Sequence, residues 1–217
     1  QRSLVGSEMC IRDSKQTVLK NINMRIPKGC VYGLLGANGA GKSTLMKILC
    51  GMTRADAGEV FFDGKIWSRK CIERIGALIE LPPVYENLSA VDNLKVRTWT
   101  LGISDARILE VLDIVDLKNT GKKQVGKFSM GMKQRLGIAV ALLNDPDFLI
   151  LDEPANGLDP FGIRQLREML VSFAESGMTV LVSSHILGEI QQTADYIGIL
   201  ANGVLAVSYT HLRAHET

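Results

Sequence analysis

Hydrophobic positions along the chain follow two periods in succession, and the switch between them outlines the fold. From Val18 to Ile26 apolar residues fall on even positions (Val18, Ile22, Met24, Ile26), with Asn21, Asn23 and Arg25 opposite. That period of two predicts a half-exposed antiparallel strand. Pro27-Lys28-Gly29 turns it into Val31-Tyr32-Gly33-Leu34-Leu35, a short buried strand. A glycine-rich stretch follows. Leu45, Met46, Ile48 and Leu49 then recur at helical spacing up to Gly51, a natural C-cap. Residues 58–67 read as a hairpin, Glu59-Val60-Phe61-Phe62 and Lys65-Ile66-Trp67, closed by Asp63-Gly64. Residues 75–79 form another buried strand, ending at Glu80-Leu81-Pro82-Pro83.

The character changes between about Tyr85 and Lys127. Ser89 starts a helix carrying Val91, Leu94 and Thr98, and Ser104-Asp105 caps a second with Ile108, Leu109, Val111, Leu112 and Val115. From Ser129 strand and helix alternate again. A helix reaches about Leu143, Phe148-Leu149-Ile150-Leu151 is a strand buried on both faces, and a helix follows near 162–174. A strand at 179–183, a helix at 186–193, a strand at 196–200 and an Asn202-Gly203 turn complete the series. The class this predicts is α/β: a mostly parallel central sheet with right-handed crossovers, an N-terminal antiparallel β portion and an inserted α-helical subdomain at about 85–130.

Composition narrows the picture without redirecting it. At 217 residues and 46% hydrophobic the chain suits one large domain, and a net charge of +2 suggests no nucleic-acid partner. Cys10, Cys30, Cys50 and Cys71 form no CxxC pair and read as apolar fillers in a reduced, cytosolic protein. No apolar run approaches the roughly 20 residues that span a bilayer, so any work at a membrane goes through a partner. The ends, 1–14 and 207–217, lack clear periodicity and resemble translated sequencing-adapter sequence. They are expected to be non-native, which leaves a domain at 15–206 and sets His211 and His215 aside.

The chemistry lies at the period switches. Gly36-Ala37-Asn38-Gly39-Ala40-Gly41-Lys42-Ser43-Thr44, between strand and helix, matches the phosphate-binding loop G-x-x-x-x-G-K-[ST] in full. Glycines let successive N–H groups turn inward on phosphate oxygens, and the helix presents its positive end to the same anion. Lys42 reaches the β- and γ-phosphates and the Ser43 hydroxyl completes an Mg²⁺ shell, so the ligand is a nucleoside triphosphate and the fold that of a P-loop NTPase. The buried strand at 148–151 delivers Asp152 and Glu153 to the sheet edge where ligands of open α/β sheets bind. Asp152 holds Mg²⁺, directly or through water, and Glu153 orients the attacking water. Ser129 and Gly131 open the helix after Phe128, either as a second anion site or as a plain N-cap.

Taken together, residues 36–44, 128–135, 149–154, Asn156-Gly157-Leu158-Asp159 and Ser183-Ser184-His185 resemble, in order and spacing, the ATP-binding cassette of ABC transporters over roughly 16–206. The resemblance implies that the helical insertion couples to an integral membrane permease. It implies that two cassettes, as a homodimer or a paired cassette, close head-to-tail around two ATP molecules on the cytoplasmic face of the membrane. Ser129 and Gly131 would meet the γ-phosphate held by the partner copy's phosphate loop. Asp159 would lie at the seam, and His185 would touch the γ-phosphate. Two departures stand out. Phe128-Ser129-Met130-Gly131-Met132 replaces the usual Leu-Ser-Gly-Gly-Gln, and Glu80 stands where a Mg²⁺-sensing glutamine is usual. With Pro154-Ala155-Asn156-Gly157-Leu158-Asp159-Pro160 these resemble bacitracin-type and lantibiotic-immunity exporters. An adenine-stacking aromatic, expected near 11–14, is missing from Ile11-Arg12-Asp13-Ser14. A non-transport cassette ATPase and an ATP-gated binding module with little turnover are the alternative functions.

Overall fold

In a computed structural model, which describes residues 3–13 and 16–210 (side chains of 18–206), strand and helix alternate around one six-stranded sheet. The chain runs β1 (Ser3–Asp13), β2 (Gln16–Pro27), β3 (Val31–Leu35), α1 (Lys42–Leu49), β4 (Ala57–Phe62), β5 (Lys65–Ile66) and β6 (Ile75–Leu78). Then come α2 (Ala90–Leu101), α3 (Ala106–Ile114), α4 (Met130–Leu142), β7 (Phe148–Leu151) and α5 (Pro160–Glu175). β8 (Thr179–Ser184), α6 (Leu187–Gln191), β9 (Tyr196–Ala201) and β10 (Val204–Thr210) follow. The main sheet has the order β10-β9-β3-β8-β7-β6, with only β10 antiparallel to its neighbour. A second, antiparallel sheet has the order β2-β1-β4-β5.

Successive residues of the central strands feed two cores, one on each face, which is why these strands read as continuous apolar runs. Leu149, Leu151, Val180 and Val182 join a core with α4, α5, α2 and α3. Phe148, Ile150, Leu181, Tyr32 and Leu34 join another with α1, β2 and β4. The inserted helices bury Leu94, Ile108, Val111 and Leu112 in the same core as Leu136 and Ile138 of α4, so they share the domain's interior. Asp63 and Gly64, at φ 53 and 76, make the expected tight hairpin.

One alternation shifts. Leu19 is fully buried and Val18 half-buried, where the period-two reading put Val18 on the inward face. Asn21 takes φ 48, and the pairing Met9↔Ile22 passes to Ile11↔Leu19, an extra residue on β2. A bulge of this kind turns the following side chains to the other face. Residues 3–13 and 207–210, which the sequence reading set outside the domain, carry strand pairing with it: β1 with β2 and β4, β10 with β9. Ladder hydrogen bonds are made by main-chain groups and demand no particular side chains.

Candidate nucleotide site

The phosphate loop follows β3, which lies between β8 and β9. Gly36 is needed for its closeness to other backbone: a Cβ there would stand 2.4 Å from the Leu200 carbonyl oxygen. At Gly41, φ is +106 and a Cβ would meet Leu19 Cδ2 at 2.6 Å. Gly41 is also the N-cap of α1 and offers no side chain to the helix's first N–H groups, which leaves these donors available to an anion. Lys42 is 5% exposed and folds back over the loop, donating to the carbonyls of Gly36 (2.6 Å) and Ala37 (3.2 Å). Ser43 and Thr44 are half-buried in the first turn, while Ala37, Asn38 and Gly39 are exposed and Ala40 is buried.

The end of β7 meets this loop. Asp152 is 5% exposed, and its Oδ1 accepts from the Ser183 hydroxyl at 2.6 Å. The same Ser183 oxygen accepts from the Glu153 N–H at 2.8 Å. Glu153 holds φ 48, an uncommon conformation for a side chain of its size, and the Ser183 bond fixes it there. Its Oε1 lies 3.0 Å from Lys42 Nζ as an ion pair. Two of the ammonium's three hydrogens go to the loop carbonyls, and Oε1 is itself buried beside the cation. Oε2 lies 2.9 Å from His185 Nδ1. An ionised carboxylate can only accept, so at this contact Nδ1 is the donor. Lys42, Asp152, Glu153 and His185 thus form one connected cluster. A water beside Glu153 would meet a base; a phosphate at the loop would meet a buried cation and a row of N–H groups.

Ser129, Gly131 and Asp159 gather elsewhere, around a cavity of ≈ 500 Å³ that Gln134, Gly157 and Phe161 also line. Ser129 caps α4 by accepting from Met132 N–H at 3.2 Å, and Asp159 caps α5 by accepting from Gly162 N–H at 2.8 Å. Both are exposed. The Ser129 hydroxyl still has its own hydrogen to donate. Glu80 joins neither group: it is exposed at φ 65, and its carboxylate accepts from Lys47 Nζ of α1 at 2.6 Å. That bond holds Lys47 above the ordinary lysine range. Positions 11–14, where the adenine-stacking residue was expected, lie outside the residues whose side chains are described, as do His211 and His215.

Among the described residues no three His, Cys, Asp or Glu side chains gather to hold a metal ion. A hard cation at Asp152 and Ser43 would therefore take most of its oxygen ligands from phosphate and water, as Mg²⁺ does at nucleotide sites. Sequence reasoning gave Ser183 no role of its own. The visible signal was a hydroxyl ending a buried apolar strand, but its partners lie 30 and 31 positions away and only the parallel pairing of β7 with β8 joins them.

Fold and site define a phosphate-loop nucleotide-binding domain of the two-core α/β kind. The family model described as ABC transporter matches residues 19–156. The lantibiotic transport ATP-binding protein SrtF of Streptococcus pyogenes is 56% identical over 189 residues, 87% of this chain and 82% of that protein. The bacitracin transport ATP-binding protein BcrA of Bacillus licheniformis is 44% identical, over 91% of this chain and 67% of that protein. Among solved structures, cbiO1 of Clostridium perfringens, part of the ABC transporter complex cbiONQ, superposes with TM-score 0.87 at 28% identity, covering 97% of this chain and 89% of that one. The chain belongs to the ABC transporter family, as one of its ATPase cassettes. The P-loop NTPase fold and the resemblance to the lantibiotic and bacitracin group both hold.

Proposed function

We propose that this chain is the ATP-binding and ATP-hydrolysing subunit of a bacterial exporter of peptide antibiotics or similar amphipathic compounds, working through a separate membrane permease. The connected Lys42–Glu153–His185 cluster carries the reading of hydrolysis, and the names of SrtF and BcrA, lantibiotic and bacitracin transport ATP-binding proteins, support the substrate class. No helix among the described residues is long and apolar enough to cross a membrane, which leaves the path across to a partner. The place assigned is the cytoplasmic face of the membrane.

The residues divide the work as follows. The loop backbone, the first turn of α1 and Lys42 hold the triphosphate. Ser43 and Asp152 would hold Mg²⁺, and Glu80, whose carboxylate is held by Lys47, is the further candidate; the bound ion supplies charge neutralisation for the phosphates. Glu153 is the base that orients the attacking water in line with the γ-phosphate, and His185 steadies its Oε2. Ser129, Gly131 and Asp159 serve a second copy, placed head-to-tail. Gly131 supports that placement: among the described residues a Cβ there would meet only Leu158 Cδ2, at an ordinary 3.4 Å, so none of them requires glycine.

The test is mass by light scattering on Glu153→Gln with ATP and Mg²⁺. A dimer that appears only with ATP is expected. A monomer with ATP demonstrably bound would overturn the paired arrangement.

A further inference from the structure

The phosphate loop is held from behind by two stretches nearly at opposite ends of the chain. Asn202 and Gly203, at φ 49 and 76, join β9 to β10 in a tight turn. The Gly203 N–H donates to the Ala40 carbonyl of the loop at 3.3 Å, and the Gly203 carbonyl accepts from the Lys20 N–H of β2 at 2.7 Å. Gly203 is buried, and a Cβ there would stand 2.1 Å from the Val18 carbonyl oxygen. On the same side Leu200 presses its carbonyl toward Gly36, and Leu19 covers Gly41. The loop's own turn therefore has a fixed outer wall made of residues 18–20 and 200–203.

We propose that Gly203 is a positioning residue for nucleotide binding: its turn locks Ala40 to β2 and so fixes the direction of the loop N–H groups at residues 39–41. This rests on the phosphate loop being the nucleotide site. The asymmetry of the wall gives it physical force. Ala40 and Lys20 lie 20 residues apart in sequence and share no bond of their own. Among the described residues Gly203 is the main-chain group that bonds both, on a turn too short to yield. Any side chain at 203 must push Val18 out of β2 or withdraw the donor from Ala40.

The molecule provides its own control. Gly64 sits in the other tight turn at the same φ of +76, but a Cβ there meets nothing within 4 Å. Gly203→Ala and Gly64→Ala thus share the conformational cost of the left-handed backbone, and only the first disturbs the wall. Affinity for ADP is measured by calorimetry alongside melting temperature. Gly203→Ala is expected to bind ADP at least about tenfold more weakly, since small misplacements of a binding group cost that much or more, and Gly64→Ala to bind as wild type. Equal affinity of the two variants would overturn the proposal. In the wild-type protein, hydrogen exchange at the Gly203 amide, read by NMR, is expected to slow when ADP is added, whereas exchange at Gly64 stays the same. Unchanged exchange at Gly203 overturns the proposal even if Gly203→Ala fails to fold. A wild-type protein that binds no ADP would instead strike down the nucleotide-site reading, and this inference with it.

Discussion

The corner around Lys42 and the corner around Ser129 are built on different principles. In the first, contacts cross the fold: Ser183 reaches Asp152 and Glu153, His185 reaches Glu153, and Lys42 lies against the same carboxylate. In the second, each polar side chain is occupied by its own helix, Ser129 with Met132 and Asp159 with Gly162, and the open cavity lies between them. The first corner is preorganised around buried Lys42 and Asp152, with His185 exposed at its edge; the second is exposed and satisfied only locally. A reaction centre needs its groups fixed before substrate arrives. A surface meant to receive another molecule needs donors left over, and helix ends whose caps satisfy only one N–H each still provide them.

The comparison breaks most visibly at Glu153. Glu153→Gln keeps the shape and removes the carboxylate proposed as base, so phosphate release should fall about 10²–10⁴-fold, the usual worth of general-base assistance, with nucleotide affinity retained. Wild-type turnover in that variant would strip the first corner of its chemical role. Lys42→Ala should come next. It withdraws the cation beside Glu153 and the phosphate contact together, and loss of one partner of a buried charged pair costs about 2–5 kcal/mol in binding. Titration with ATP checks it, and Ser129→Ala, read the same way on single copies, should leave affinity unchanged.

Ser183→Ala sharpens the claim that the first corner depends on long-range bonds. It leaves buried Asp152 short of a donor and frees the Glu153 N–H, at a cost of about 1–3 kcal/mol for unsatisfied buried groups. Urea unfolding measures it, and a change below about 0.5 kcal/mol would mean that Ser183 holds nothing in place. Ser129→Ala, by contrast, removes one N-cap, worth about 1 kcal/mol. Its larger effect should appear only between copies: in a Glu153→Gln background the ATP-dependent dimer should be lost. Retention of the dimer would reduce Ser129 to a cap.

The same difference decides what was legible in the sequence. The phosphate loop, the strand before it and the helix after it are contiguous, so residues 36–49 could be read directly. Ser129 as N-cap of α4 and the Asp63-Gly64 turn were legible for the same reason: caps and tight turns are set by neighbours. Asp152 and Glu153 could be placed at a sheet edge because four apolar residues precede them. The bulge at Asn21 was hidden, since one residue in a left-handed conformation leaves the apolar count intact while turning Leu19 inward. The Lys47–Glu80 pair, the Ser183 bridge and the Gly203 wall were hidden too. Each joins residues more than 25 positions apart, and only the order of strands in the sheet determines that they meet.

A substitution far from both corners calibrates the comparison, and Asp63 provides it. Its hydrogen bond to Lys28, with the charges of Lys28 and Arg74 adding to it, holds the carboxyl below the ordinary range. A depressed carboxyl stabilises the fold above its unfolded pKa and loses that contribution as pH falls through its folded one. Asp63 sits at φ 53, which asparagine tolerates well, so Asp63→Asn removes the charge and keeps the turn. The side chain is one-third exposed, and such surface pairs contribute at most about 1 kcal/mol. Asp63→Asn should therefore be less stable than wild type by no more than that at pH 7. The gap should narrow once pH falls below about 3.9 and close as the native carboxyl protonates, with ADP affinity and ATP-dependent pairing untouched throughout. A gap that stays constant into acid would show that the Lys28 contact does not hold the carboxyl down. A fall in ADP affinity would show that the hairpin communicates with the first corner, and the effects of Lys42→Ala and Ser129→Ala could then no longer be assigned to their own corners alone.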